Sequence, residues 1–191
     1  MLKHLARYLV GVPRLVQRME QQPTPEYADA MSDSNHAGCL RTRVSTGCHM
    51  LMHGAHMIKC LVGTQEDPAL SSGESEWYAL VRSAASAIGF SNMARDLGVQ
   101  LKPRLAGDAT AAAGIAKRRG AGKLRHVETK TLWLQRQVTN KKVTIRRIPG
   151  KDLPPDMGTK FVTQALMNRM LKEIGFHQRQ GKSKLALAAQ L

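Results

Sequence analysis

The chain has 191 residues, a length that suits one domain with appendages. Its 42% hydrophobic content supports a packed core and excludes a disordered tail, while 4% aromatic content leaves that core to Leu, Val, Ile, Ala and Met. A formal net charge of +15, from 29 Lys and Arg against 14 Asp and Glu, points to a polyanion, with nucleic acid ahead of an anionic membrane or acidic proteins.

Residues Leu2–Met19 place Leu2, Leu5, Ala6, Leu9 and Val10 on one helical stripe with basic neighbours, and Pro13 ends or kinks that helix. "QQPTPEYAD" reads as a linker, so the first boundary falls there. From Tyr27 to about Val62 the pattern is strand-like, with a tight hairpin turn at Gly54. Ser71 and Glu74 match a helix-opening capping box, followed by helical spacing of Trp77, Leu80, Val81, Ala84, Ala85 and Ile88. Gly89 and Gly98 are places for that helix to stop or restart.

Arg104–Gly120 reads as a strand running into an Ala-rich helix, with Asp108 at the junction. A short helix is expected over Glu128–Val138 and a strand over Lys141–Ile148. A long amphipathic helix then follows, with Asp152 as N-cap and Leu153, Met157, Phe161, Ala165 and Leu171 on its buried side. The tail from His177 is expected to be mobile. No apolar run is long enough to span a bilayer. Cys39, Cys48 and Cys60 form no CxxC pair and fit free thiols in a reducing compartment.

Two basic segments stand out: Lys117, Arg118, Arg119, Lys123 and Arg125, then Lys141, Lys142, Arg146 and Arg147. Acids sit where folding alone does not require them: Asp33 at the end of a strand, Glu76 one turn inside a helix, Asp108 at a strand–helix junction, and Asp152 and Asp156 near the last helix. Carboxylates gathered by a fold repel one another unless cations lie between them, and hard oxygen donors suit Mg²⁺ or Mn²⁺. Two such ions serve phosphodiester hydrolysis. A zinc site from Cys48, His49, His53, His56 and Cys60 is disfavoured, because neighbouring residues of a strand point to opposite faces. No P-loop, GxGxxG or Gly-x-Ser-x-Gly elbow is present.

With "SDSNHAG", "SSGESEWYAL", "LAGDATAAAGIA" and "GKDLPPDMGTK" in this order, the chain resembles the ribonuclease H domain of copia-type LTR retrotransposon polyproteins. "RTRVSTGCHMLMHGAHMIKC", "KLRHVETK" and "DMGTK" are similar to further segments of that family, and "LARYLVGVPRL" to the end of the preceding reverse transcriptase. The last likeness displaces a mitochondrial presequence as the reading of the basic N-terminus. The resemblance implies an α/β, RNase H-like fold with a mixed five-stranded sheet flanked by helices. It divides the chain into a polymerase remnant at 1–22, an RNase H-like domain at 23–162, and a C-terminal basic helix and tail at 163–191.

The same resemblance implies cleavage of the RNA strand of RNA–DNA hybrids by two divalent ions, Mg²⁺ or Mn²⁺. Asp33, Glu76, Asp108 and Asp156 fall on the family's metal-binding, catalytic acids, and Glu74 becomes the helix-start residue. Lys117, Arg118, Arg119, Lys123, Arg125, His126, Lys142 and Arg146 would hold nucleic acid. The implied partners are the hybrid and an upstream reverse transcriptase domain, with no membrane, in a cytoplasmic virus-like particle or the nucleus. The chain departs from the family at Asn35, at His36 and at Ala109, where an acid, a Trp and an Asn are usual. A decayed copy that binds nucleic acid without cleaving it is the rival expectation.

Overall fold

Residues 2–108, 110–120, 122, 126 and 132–181 are described by the computed structural model. Helix α1 (Leu2–Gly11) ends just before Pro13, which has no N–H to continue it. The helix thus ends at the proline, one of the two outcomes expected there, and Arg14–Gln17 forms strand β1 in the stretch up to Met19. The polar linker leads into β2 (Tyr27–Ser34), β3 (Thr46–His53) and β4 (His56–Thr64). His53 faces His56 across the hairpin, and Gly54 takes a φ of +62°, which a side chain would oppose.

Strands β5 (Lys102–Gly107) and β6 (Thr144–Arg147) complete a five-stranded sheet in the order β4-β3-β2-β5-β6. The first three strands pair antiparallel, while β5 runs parallel to both β2 and β6. The α/β class and the mixed sheet flanked by helices are as expected.

Helices α2 (Ser72–Asp96), α3 (Thr110–Lys117) and α4 (Trp133–Thr139) lie on one side. Their shared core holds Trp77, Leu80 and Ala84 against Ala30, Leu51 and Leu105 of the sheet. Helix α2 runs through Gly89 unbroken and stops at Gly98, whose φ is +82°. Ala85, expected inside, is exposed, and Ala87 takes the buried position.

The other face of the sheet is covered by the chain after residue 152. The single long helix expected there is instead a 3-10 turn at Gly150–Asp152, a short α5 (Asp156–Thr159) and a separate α6 (Gln164–Glu173) capped by Thr163. Consequently Phe161 is fully exposed and Ala165 is exposed, whereas Leu153 is buried as expected. Beyond α6, Phe176–Arg179 forms β7, which pairs antiparallel with β1, so a strand occupies the start of the tail expected to be mobile.

This ribbon joins residues on either side of the boundaries drawn at 22 and 162. Ile174, Leu171, Phe176 and Met157 pack there against Cys48, Met50 and Met52 of β3. Strand β3 is thereby buried on both faces, which explains its near-continuous apolar sequence.

Candidate active site

Strands β2 and β5 are parallel neighbours, with Met31 opposite Ala106. Two residues further along each strand come Asp33 and Asp108, so the register alone carries both acids to the same end of the sheet. Their backbones approach closely: a Cβ on Gly107 would lie 3.4 Å from the Ser32 carbonyl oxygen. Glu76 arrives from α2. The buried Ser34 Oγ donates to Ser75 Oγ at 3.0 Å, and Gln65 Nε2 donates to the Ser75 carbonyl at 2.8 Å, pinning the first turn of α2 to the end of β2.

Asp33, Glu76 and Asp108 each offer a carboxylate oxygen, and these atoms lie within 4.8 Å of one another. Among the described residues this is the cluster of His, Cys, Asp or Glu side chains arranged to hold a metal ion. Asp33 is fully buried. Burial, followed by the neighbouring charges of Asp33 and Asp108, pushes the Glu76 carboxyl up to about 8, against weaker opposition from the Ser34 backbone and Lys160. An acid so destabilised as an anion is what a hard cation relieves, so the donor set fits Mg²⁺ or Mn²⁺.

Asp156 joins the site through a cation of the protein itself. Lys160 Nζ donates to Asp156 Oδ1 at 3.0 Å and to Asp33 Oδ1 at 3.3 Å, while Thr159 Oγ1 donates to Asp33 Oδ2. Burial raises the Asp156 carboxyl, and the hydrogen bond from Lys160 opposes it. Burial alone would lower the Lys160 ammonium, but Asp156 and Asp33 outweigh it and hold it above its ordinary range. The break after α5 is what lets Thr159 and Lys160 turn inward, with Lys160 already extended at φ −131° and ψ 155°. Asn35, where the resemblance leads one to expect an acid, donates to the Thr159 carbonyl at 3.3 Å and accepts from the Thr46 N–H at 2.8 Å. It clamps the α5 segment to the sheet.

Glu74 has a separate task. Ser71 Oγ accepts the Glu74 N–H at 3.2 Å, and the Glu74 carboxylate accepts the Leu70 N–H at 3.1 Å, so the two residues cap the helix. The same buried carboxylate accepts Tyr78 Oη–H at 3.0 Å and meets His126 Nε2 at 2.9 Å. His126 therefore stands on the capping acid rather than on the acid cluster.

Beside Glu76 opens a cavity of about 300 Å³, walled by Leu80, Ala112 and Ile145 and edged by Lys117, Arg146 and Arg147. Two of the expected nucleic-acid contacts, Lys117 and Arg146, thus line the same cavity as Glu76. Arg118 and Arg119 follow the end of α3, and Lys142 is exposed ahead of β6. Lys123 and Arg125 lie outside the described residues. Thr159 and Lys160 escaped the sequence reading, although they sit in the quoted "DMGTK". Their i+3 and i+4 spacing from Asp156 was the available signal.

No protein-family model and no curated protein matches the chain. Among solved structures it is similar to RNase H1 of the halophilic archaeon Halobacterium salinarum, with 15% identity over 77% of this chain and 98% of that one, at a TM-score of 0.43. It is also similar to LC11-RNase H1, isolated from compost by a metagenomic approach, with 10% identity over 78% and 97% of the two chains and a TM-score of 0.47. A crystal structure of LC11-RNase H1 in complex with an RNA/DNA hybrid matches at 10% identity over 68% and 91%, with a TM-score of 0.45. RNase H1 domains are thus among its structural neighbours.

Proposed function

We propose that the chain is a divalent-metal-dependent, RNase H-type phosphodiester hydrolase that cuts the RNA strand of RNA–DNA hybrids. The observation that carries this reading is the meeting of Asp33, Glu76 and Asp108 within 4.8 Å, arranged by a parallel strand pair and a helix start. The catalytic set includes Asp156, through its shared ammonium with Asp33. The polyprotein setting of a copia-type element, with residues 1–22 as the end of the reverse transcriptase, rests on the ordered sequence motifs.

When bound, two Mg²⁺ or Mn²⁺ ions would supply a water nucleophile and stabilise the departing oxygen. The chain's own residues do the rest. Asp33, Glu76, Asp108 and Asp156 would hold the cations, and the missing side chain of Gly150 leaves room for the Asp108 carboxylate. Lys117, Arg146 and Arg147 attract phosphates to the cavity beside Glu76, fixing the position of the duplex without reading its sequence. Discrimination of RNA from DNA depends on 2′-OH contacts across the minor groove.

The test is cleavage of an end-labelled RNA–DNA hybrid in Mg²⁺ or Mn²⁺, with Asp108→Asn as control. Cuts confined to the RNA strand and abolished by Asp108→Asn are expected. Binding without cleavage by the intact chain would favour the decayed copy, and cuts in the DNA strand would point to a different nuclease.

A further inference from the structure

Lys160 brings a positive charge of the protein's own into a place that four acids would otherwise leave for metal. Its ammonium touches Oδ1 of both Asp33 and Asp156, and Thr159 takes the other oxygen of Asp33. The oxygens of Asp33, Glu76 and Asp108 converge within 4.8 Å, and Asp156 reaches that group through Asp33 and the shared ammonium. Each carboxylate oxygen has a second lone pair, so Asp33 still has capacity on the side facing Glu76 and Asp108. Asp156 already has the ammonium 3.0 Å from its Oδ1. Mg²⁺ needs its oxygens at about 2.0–2.1 Å in near-octahedral array, and it would meet the ammonium there as a like charge.

The side chain that carries this ammonium is 45% exposed. Its anchor is a short helix end rather than the packed sheet. It is therefore free to move once something else engages its charge. Phosphate is the natural competitor, since Lys is a point charge with rotatable donors that transfers readily between anions.

We infer that Lys160 acts as a resident cation: the free protein takes one divalent ion, at Asp33, Glu76 and Asp108, and Asp156 becomes available to a second only when Lys160 leaves. This rests on the nuclease reading and deepens it, by making the substrate's phosphate the agent that draws Lys160 away. Lys160 is then a positioning residue that couples arrival of nucleic acid to completion of the metal site.

The test counts ions rather than turnover. Metal-free protein, without nucleic acid, is titrated with Mn²⁺, and free Mn²⁺ is followed by electron paramagnetic resonance. One ion is expected for the wild type, two for Lys160→Met, and one again for the double variant Lys160→Met with Asp156→Asn. If Lys160→Met does not fold, Lys160→Gln replaces it, keeping an amide donor between the two acids. Two ions on the wild type overturn the inference while sparing the nuclease reading, as does a single ion on the Lys160 variants. No ion on the wild type overturns both.

Discussion

Gly150 lies directly against Asp108: a Cβ at position 150 would sit 2.8 Å from Asp108 Oδ2. The residue that opens the 3-10 turn after β6 thus forms the wall behind one of the three converging acids. A methyl group there forces the Asp108 carboxylate to shift from the position in which it meets Glu76 and Asp33. Gly150→Ala is expected to lower kcat for hybrid cleavage on the order of 10²-fold, the scale of an ångström-sized misplacement. Its thermal midpoint should stay close to that of the wild type, because the turn is at the surface. Steady-state kinetics and a melting curve check both halves.

The acid cluster makes stability depend on pH in a direction opposite to that of most surface carboxylates. Glu76 has an ordinary value of 4.5 and is raised to about 8 in the folded chain, chiefly by burial. Between these values the folded state holds a proton that the unfolded state has released, so stability falls as pH rises through that window. Other groups titrate too, so the informative quantity is the difference from Glu76→Gln. Urea unfolding in EDTA should show the wild type losing stability relative to this variant between pH 5 and pH 8. Added Mn²⁺ should reverse the trend, since it favours the ionised carboxylate.

Glu74 predicts a different outcome from Glu76, although only one residue separates them. Its buried carboxylate serves the Leu70 N–H, the Tyr78 hydroxyl and His126. Removing it in Glu74→Ala takes away three hydrogen bonds to one buried, charged acceptor and is expected to cost roughly 1–3 kcal/mol of stability. Metal stoichiometry should remain that of the wild type. Denaturant unfolding and Mn²⁺ titration on one preparation separate the two roles.

Lys117, Arg146 and Arg147 edge the cavity beside Glu76, so their contribution should be read in salt dependence. Binding of Asp108→Asn protein to an RNA–DNA hybrid, followed by fluorescence anisotropy, gives a log–log slope against salt. Replacing Arg147 by Ala in that background should make the slope shallower by about 0.9 for the lost phosphate contact. Lys102 pairs with Glu26 near the opposite end of β5, and Lys102→Ala should leave the slope as it was.

Local chemistry made much of this molecule legible from its residues. Gly54 announced the hairpin, Ser71 and Glu74 announced the start of α2, and Asp108 was recognisable at a strand–helix junction because the Ala-rich run after it is so distinct. The three converging acids followed from this and from the family motifs. What escaped was set by tertiary contacts. Helical periodicity carried Phe161 and Ala165 inward, but the pull of Asp33 on Thr159 and Lys160 ends α5 first, and both residues face solvent. Nothing in the alternation of four residues revealed that Phe176–Arg179 would find Arg14–Gln17 across the length of the chain. The basic neighbours of His126 place it among the expected substrate contacts, but they give no sign that it also meets Glu74, 52 positions away.

The apolar layer beneath Asp156 is built largely from thioethers: Met50 and Met52 are buried there, with Met31, Met57 and Met157 packed around them. Sulfur of this kind takes up oxygen from peroxides and becomes a polar sulfoxide, which such a layer does not accommodate. Oxidative ageing should therefore loosen the α5 side of the molecule first, while the aliphatic side that supports Glu76 holds its shape.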